Sequence, residues 1–307
     1  MGRRSRSPKG FKDVNGILLL NKPLGISSNK ALQAVRNIFK ANKAGHTGSL
    51  DPLATGMLPV CFGEATKYSG YLLDSSKSYR AICRLGVTTT TGDAEGDVVS
   101  EKPVNVSTES LDQAIAKFIG KIQQTPPMYS AVKHKGERLY NLARQGIEVE
   151  RKSREIEIFK LEVIAFDNDQ LELDIHCSKG TYIRTLAEDI GNDLGCGAYL
   201  TSLVRTAVQP FWDAKTFTLD ELRTISDGED QQLSDCLLPI ESALTDWPLV
   251  ELTPDMSFYI LQGQAVQVPK SPTQGLVRLV DETRGFIGLG QIQSDGRVAP
   301  KRMMRDI

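Results

Sequence analysis

Gly45-His46-Thr47-Gly48-Ser49-Leu50-Asp51-Pro52-Leu53-Ala54-Thr55-Gly56-Met57-Leu58-Pro59 sets one carboxylate and one imidazole inside a run of turn-forming residues, the kind of segment on which binding and catalytic groups are presented. Glycines at 45, 48 and 56 admit positive φ and a close approach of backbone to ligand. In Asp51-Pro52 the ring holds the aspartate extended, so the carboxylate stands on a stiff loop. Taken alone, an Asp-Pro pair more often does no more than cap a turn.

Two other chemistries fit the loop poorly. A phosphate-cradling loop needs G-x-x-x-x-G-K-[ST], and neither Gly48 nor Gly56 is followed by that lysine and hydroxyl. A metal site needs ligands at recurring spacing, whereas His46, His134 and His176 lie far apart and Cys61, Cys83, Cys177, Cys196 and Cys236 form no C-x-x-C. A site without cofactor or metal is expected.

The run from Gly45 to Lys67, G-H-T-G-S-L-D-P-L-A-T-G-M-L-P-V-C-F-G-E-A-T-K, resembles the catalytic motif of the TruB family of tRNA pseudouridine synthases. Three further segments agree with that family in order and spacing: Gly16-Ile17-Leu18-Leu19-Leu20-Asn21-Lys22-Pro23-Leu24-Gly25, Ser78-Tyr79-Arg80, and Cys177-Ser178-Lys179-Gly180-Thr181-Tyr182-Ile183-Arg184-Thr185-Leu186. The resemblance covers nearly the whole chain.

Composition is compatible with it. The 307 residues are long for one core and suggest two domains, and 40% hydrophobic with 24% charged residues is ordinary for a water-exposed protein. No apolar run approaches the ~20 residues that span a bilayer, no signal peptide precedes the first strand, and five cysteines without framework spacing fit a reducing cytoplasm. A net charge of −1 looks wrong for an RNA-binding chain until it is divided. Residues 1–12 carry Arg3, Arg4, Arg6, Lys9 and Lys12 with no acid; residues 125–154 carry seven bases against three acids; residues 213–246 carry two bases against nine acids. A polyanion would meet the basic segments with salt-sensitive affinity, although a charge run can equally solvate a surface.

Periodicity predicts an α+β fold. Leu171, Leu173, Ile175 and Cys177 alternate with polar residues, as a half-buried strand does, and Ile156 and Ile158 begin its hairpin partner. Leu32, Val35, Ile38 and Phe39 make one helical stripe; Leu111, Ile115, Phe118 and Ile119 make another, behind a Ser110 to Gln113 capping box. Strands and helices do not alternate strictly, which favours α+β over a doubly wound parallel sheet. Thr181 reads as the N-cap of a helix with the stripe Ile183, Leu186, Ala187, Ile190 and Leu194, placing Arg184 near the third helical position. A cation there opposes the helix dipole, so something else must favour it.

The resemblance supplies roles. It implies a pseudouridine synthase fold, with a long, mainly antiparallel central sheet flanked by helices and a cleft across its middle. It implies that Asp51 is the catalytic residue and that Arg184 orients its carboxylate. Tyr79 shares a strand face with Ala81, Cys83 and Leu85 and would be read as core from pattern alone; by resemblance its ring stacks on a flipped uracil. His46 would fill the space that nucleotide leaves or stack nearby, and Tyr182 and Leu203 would line the uracil pocket, Leu203 being as readily a core residue. Lys22-Pro23 reads as support for the catalytic loop.

The segment Gln124 to Tyr140 mixes cations with aromatics, which suits RNA; by resemblance, residues 125–154 are a mobile thumb. A domain boundary falls near Trp247-Pro248, giving a basic arm (1–15), a catalytic domain (16–248) and a unit at 249–307. In the last, Val277 to Val280 and Phe286 to Gly290 read as a hairpin, and the whole looks like a PUA-like barrel. The expected function is isomerisation of uridine 55 in the T-loop of tRNA, by a cytoplasmic monomer with tRNA (T-arm and elbow) as partner and without cofactor, protein partner or membrane. The alternatives are a non-catalytic tRNA-binding or tRNA-folding protein, and a synthase for another RNA uridine.

Overall fold

The computed structural model describes residues 10–228 and 230–305. Arg3, Arg4, Arg6 and Lys9 of the expected basic arm therefore lie outside the described residues, as does Glu229 of the acidic stretch.

In chain order the strands are β1 (Gly16–Lys22), β2 (Ala44–His46), β3 (Ala54–Phe62), β4 (Lys77–Leu85), β5 (Val87–Thr89), β6 (Val98–Glu101), β7 (Gly120–Gln124), β8 (Lys133–His134), β9 (Glu137–Arg138), β10 (Arg154–Asp167), β11 (Gln170–Cys177) and β12 (Ala198–Val208). The helices among them are α1 (Ser28–Ile38), α2 (Ser69–Asp74), α3 (Thr108–Lys117), α4 (Leu139–Arg144) and α5 (Ile183–Asp193), followed by α6 (Leu219–Ser226). The central sheet runs β1-β3-β12-β4-β11-β10-β7, with β2 added on β3. Every pair along that path is antiparallel except β12 on β3. The long, mainly antiparallel sheet expected from the sequence is present.

Each strand has the side chains its surroundings require. β4 alternates buried Lys77, Tyr79, Ala81, Cys83 and Leu85 with partly exposed partners, the period-two pattern of a sheet with one covered face. Its partner β11 alternates in the same way, Leu171, Leu173, Ile175 and Cys177 being buried. That face packs on α3 and α5 through Leu111, Ile115, Ile183, Leu186 and Ile190. β1 is apolar nearly throughout because both of its faces are covered: Leu18 and Leu20 meet α1 and α6, while Ile17 and Leu19 join Tyr68, Leu72 and Val208 on the other side.

Two helix starts differ from the sequence reading. α3 begins at Thr108 with Ser107 as N-cap, and the reciprocal box is closed by the Ser110 side chain on the Ser107 N–H at 3.0 Å; the box expected at Ser110 and Gln113 is one turn too late. α3 also ends at Lys117, leaving Phe118 as its C-cap and Ile119 exposed. α5 is capped at Tyr182 rather than Thr181, whose hydroxyl donates to the Ser178 carbonyl at 3.0 Å and is used up in the preceding turn. Arg184 is thus the second helical residue.

Beyond Trp247-Pro248 the chain forms β13 (Leu249–Leu252), β14 (Leu276–Asp281), β15 (Gly285–Ile292) and β16 (Val298–Met303), after a short α7 (Asp230–Ser234) and with α8 (Pro254–Leu261) between β13 and β14. Where a small barrel is expected there is a four-stranded sheet, β13-β14-β15-β16, extended by a bridge between Val266 and Val298. The hairpin of the sequence reading is β14 with β15. This sheet is seated on the α2 region: Tyr68 donates its hydroxyl to the Arg302 carbonyl at 2.9 Å, and Leu289 and Phe286 enter the core beside Tyr68. Among the described residues no helix is long and apolar enough to cross a membrane.

Candidate active site

The loop between β2 and β3 carries Asp51 to the mouth of a cleft of about 530 Å³ lined by Asp51, Tyr79, Tyr182, Arg184, Leu203 and Arg205, among others. Five of the six residues singled out in the sequence therefore meet in one place. His46 does not line it. It sits half-buried on β2 opposite Val60, its Nδ1 without a hydrogen-bond partner among the described residues. Burial, together with the nearby Arg205 charge, lowers its pKa and favours the neutral imidazole.

The Asp51 carboxylate meets the Arg184 guanidinium at 3.0 Å; its side chain is 45% exposed and that of Arg184 only 6%. Desolvation raises the Asp51 pKa above its ordinary value, and Arg184 works against that rise. Three elements share the guanidinium. It bonds the carbonyl of Thr91 at 3.0 Å and that of Tyr129 at 2.7 Å, and it pairs with Asp93 at 3.3 Å. Asp93, 2% exposed, is the buried counter-charge that explains why a cation is tolerated in the first turn of α5. The sequence reading missed it, since nothing in Thr88-Thr89-Thr90-Thr91-Gly92-Asp93 marks that aspartate as buried.

Tyr79 and Leu203 are buried in the same cluster as Leu50 while also lining the cleft, so the core reading and the pocket reading hold together. Tyr79 is the cross-strand neighbour of Arg205. Tyr182 is held by Gln124, which accepts from its N–H at 2.8 Å and donates to its carbonyl at 3.0 Å, while the Arg154 guanidinium lies 5.0 Å from its ring centre. Gln124 and Arg154, at the ends of β7 and β10, thus fix one wall of the cleft.

The loop is braced from below. Lys22 is fully buried, and its ammonium donates to the carbonyls of Pro23 at 2.9 Å and Ile26 at 2.7 Å, with that of Pro52 at 3.5 Å. Burial pushes the Lys22 ammonium down to about 8, against the attraction of Asp51. The sequence reading of Lys22-Pro23 as loop support fits this geometry. Lys22→Met strips the donor from these carbonyls and is expected to cost about 1–3 kcal/mol, visible as a lowered midpoint in thermal unfolding; an unchanged midpoint would deny the brace. Gly56, at φ +96°, admits no side chain, because a Cβ there would lie 2.3 Å from the Arg205 carbonyl oxygen.

The expected thumb leaves the sheet after β7 and returns at β10. It holds the two-residue strands β8 and β9 and the helix α4, with Arg138 and Arg144 each within 6 Å of the Tyr140 ring centre at 5.9 and 5.7 Å.

The whole arrangement has solved counterparts. A structure described as an H/ACA RNP bound to a substrate RNA containing 2'-deoxyuridine matches with a TM-score of 0.73 at 23% identity, over 95% of this chain and 85% of that one. A Cbf5-Nop10-Gar1 complex matches with a TM-score of 0.72 at 26% identity, over 94% of this chain and 84% of that one. These neighbours share the fold of this chain, and the family models define its class, a pseudouridine synthase. Residues 36–183 match the TruB family pseudouridylate synthase N-terminal domain, and residues 184–245 and 248–304 match two C-terminal domain families of the same enzymes. The chain belongs to the TruB family of pseudouridylate synthases. Among its relatives, proteins named tRNA pseudouridine synthase B from Nitrosococcus oceani and Pseudomonas fluorescens are 52% and 53% identical, over 95% and 96% of this chain and 96% and 97% of theirs. One of the same name from Yersinia enterocolitica is 51% identical over 99% of this chain and 94% of its own.

Proposed function

We propose that this chain converts uridine 55 in the T-loop of tRNA to pseudouridine, with Asp51 opening the bond between the ribose and the base. The observation that carries this is the half-exposed Asp51 carboxylate, 3.0 Å from a buried arginine, at the mouth of a cleft walled by Tyr79 and Leu203. Family membership and relatives named for action on tRNA support it.

Isomerisation neither oxidises nor reduces the base, so oriented side chains suffice. The uridine leaves its stack at a cost of a few kcal/mol. Asp51 then either attacks C1′ or removes the C2′ proton; in both cases the base departs with the electron pair of the C1′–N1 bond. The detached uracil turns, C5 bonds to C1′ as the Asp51 carboxylate leaves C1′ or returns the proton to C2′, and the C5 proton is lost while N1 gains one. Tyr79 stacks on the base, Tyr182 and Leu203 hold it, and His46 stands on the flank of the loop, next to the space that the flipped nucleotide vacates. Residues 125–154 close over the T-arm as a thumb, and residues 249–307 form a PUA-like unit on the tRNA beyond it, with residues 16–248 as the catalytic domain. The enzyme works as a monomer in the cytoplasm.

Mapping pseudouridine by position in unmodified tRNA, without added metal or cofactor, tests this reading. Product at position 55 supports it. Binding without product would leave a tRNA-folding protein, and product elsewhere would leave a different RNA substrate.

The active form of Asp51 is the carboxylate, which is lost as pH falls through its pKa. Because that pKa is raised, the acid limb of kcat/KM is expected above the ordinary aspartate range. Removing the opposing charge with Arg184→Gln moves the limb to still higher pH. A limb that stays in place in the variant would mean that Asp51 is not the titrating group.

A further inference from the structure

The loop carrying Asp51 is gripped by its backbone on both sides, and one of the groups doing so has no other task. Ser28 is the first residue of α1, 3% exposed, and it does not cap that helix; Ser27 does. Its hydroxyl accepts from the Leu50 N–H at 2.7 Å and donates to the Leu50 carbonyl at 3.0 Å. One side-chain oxygen thus satisfies both backbone groups of the residue before the aspartate. On the far side, the Pro52 carbonyl accepts from the Gly25 N–H at 2.9 Å.

Arg205 brackets the same segment. It is 1% exposed, donates from Nε to the Met57 carbonyl at 2.7 Å and from Nη2 to the Gly48 carbonyl at 3.2 Å. Among the described residues no carboxylate lies within 4 Å of it. A buried guanidinium that serves two carbonyls, one near each end of the Asp51 loop, and also bonds the Tyr79 side chain is costly to retain for stability alone.

We propose that Ser28 and Arg205 are positioning residues for Asp51, holding residues 48–57 so that the carboxylate stands against Arg184 and faces the ribose. The proposal rests on the reading of Asp51 as the catalytic group. A displacement of about 1 Å in such a group costs on the order of 10²-fold in rate, so the grip acts on kcat far more than on RNA binding.

The test uses the full chain with Ser28→Ala, Ser28→Thr and Arg205→Lys. Ser28→Ala removes only the hydroxyl; Ser28→Thr restores it; Arg205→Lys keeps the charge but replaces the planar fork, which meets the two carbonyls from separate nitrogens, by donors on a single nitrogen. Single-turnover pseudouridine formation on unmodified tRNA and amide hydrogen exchange are both read. For Ser28→Ala we expect kcat to fall about 10- to 100-fold with KM within about threefold of the parent, substantial recovery in Ser28→Thr, and faster exchange confined to residues 48–57. Arg205→Lys moves the same quantities in the same direction. A Ser28→Ala kcat within twofold of the parent would overturn the proposal, as would exchange at 48–57 that does not change or that accelerates throughout the molecule. If the parent makes no pseudouridine, the functional reading falls, and the exchange measurement still decides whether Ser28 and Arg205 hold the loop.

Discussion

Asp51→Asn is expected to abolish pseudouridine formation, with a loss of at least about 10⁴-fold in kcat and little change in tRNA affinity or thermal stability. The asparagine keeps the size of the side chain and one oxygen for Arg184, so the 3.0 Å contact can persist as a hydrogen bond. What disappears is the anion proposed to attack C1′ or remove the C2′ proton. Stability should hold because the carboxylate is partly desolvated, which raises its pKa and disfavours its charged form in the folded protein. Arg184 also keeps Asp93 as its partner. The measurement is position-mapped pseudouridine in unmodified tRNA beside a binding isotherm for the same RNA. Product formed by the variant at the parental rate would remove Asp51 from the mechanism.

Arg184→Met should be damaging in a different way. It leaves Asp93, 2% exposed, without its guanidinium, retaining only short-range partners such as the Thr91 hydroxyl and the Glu95 N–H. Removing one member of a buried pair costs about 3–5 kcal/mol. At roughly 2–4 °C per kcal/mol for a chain somewhat smaller than this one, the unfolding midpoint should fall by on the order of 10 °C. Activity falls as well, since Asp51 loses its orienting group. Adding Asp93→Asn separates the two effects: the double variant should regain much of the lost stability and none of the lost activity. A single variant with parental stability would contradict the coupling of Asp93 to Arg184.

The sheet and its cleft were legible in the chain wherever a pattern is local. Alternation at Leu171, Leu173, Ile175 and Cys177 gave β11 its phase, and the same logic put Tyr79 on the covered face of β4. Helix starts were displaced where a tertiary partner or an unusual residue took over the cap. Tyr182 is fixed by Gln124 from a strand 58 residues away, and the box at Ser107 closes with a serine where a glutamate or glutamine is the usual signal. Arg205 carried a readable sign, a cation two residues after Leu203 and so in phase with a buried strand face. Asp93 and Ser28 carried none, because their importance comes entirely from what the fold brings against them.

The arginine that meets Asp51 also binds the carbonyl of Tyr129, where the insertion between β7 and β10 begins. Its remaining contacts go to the Thr91 carbonyl and Asp93. A guanidinium held from these directions cannot follow one neighbour without releasing another. The insertion is therefore tied to the Asp51 carboxylate through one shared guanidinium. On the roles proposed for Asp51 and the insertion, a shift of Tyr129 away from Arg184 would alter the hold on the Asp51 carboxylate, so that an empty enzyme and a loaded one would be differently armed.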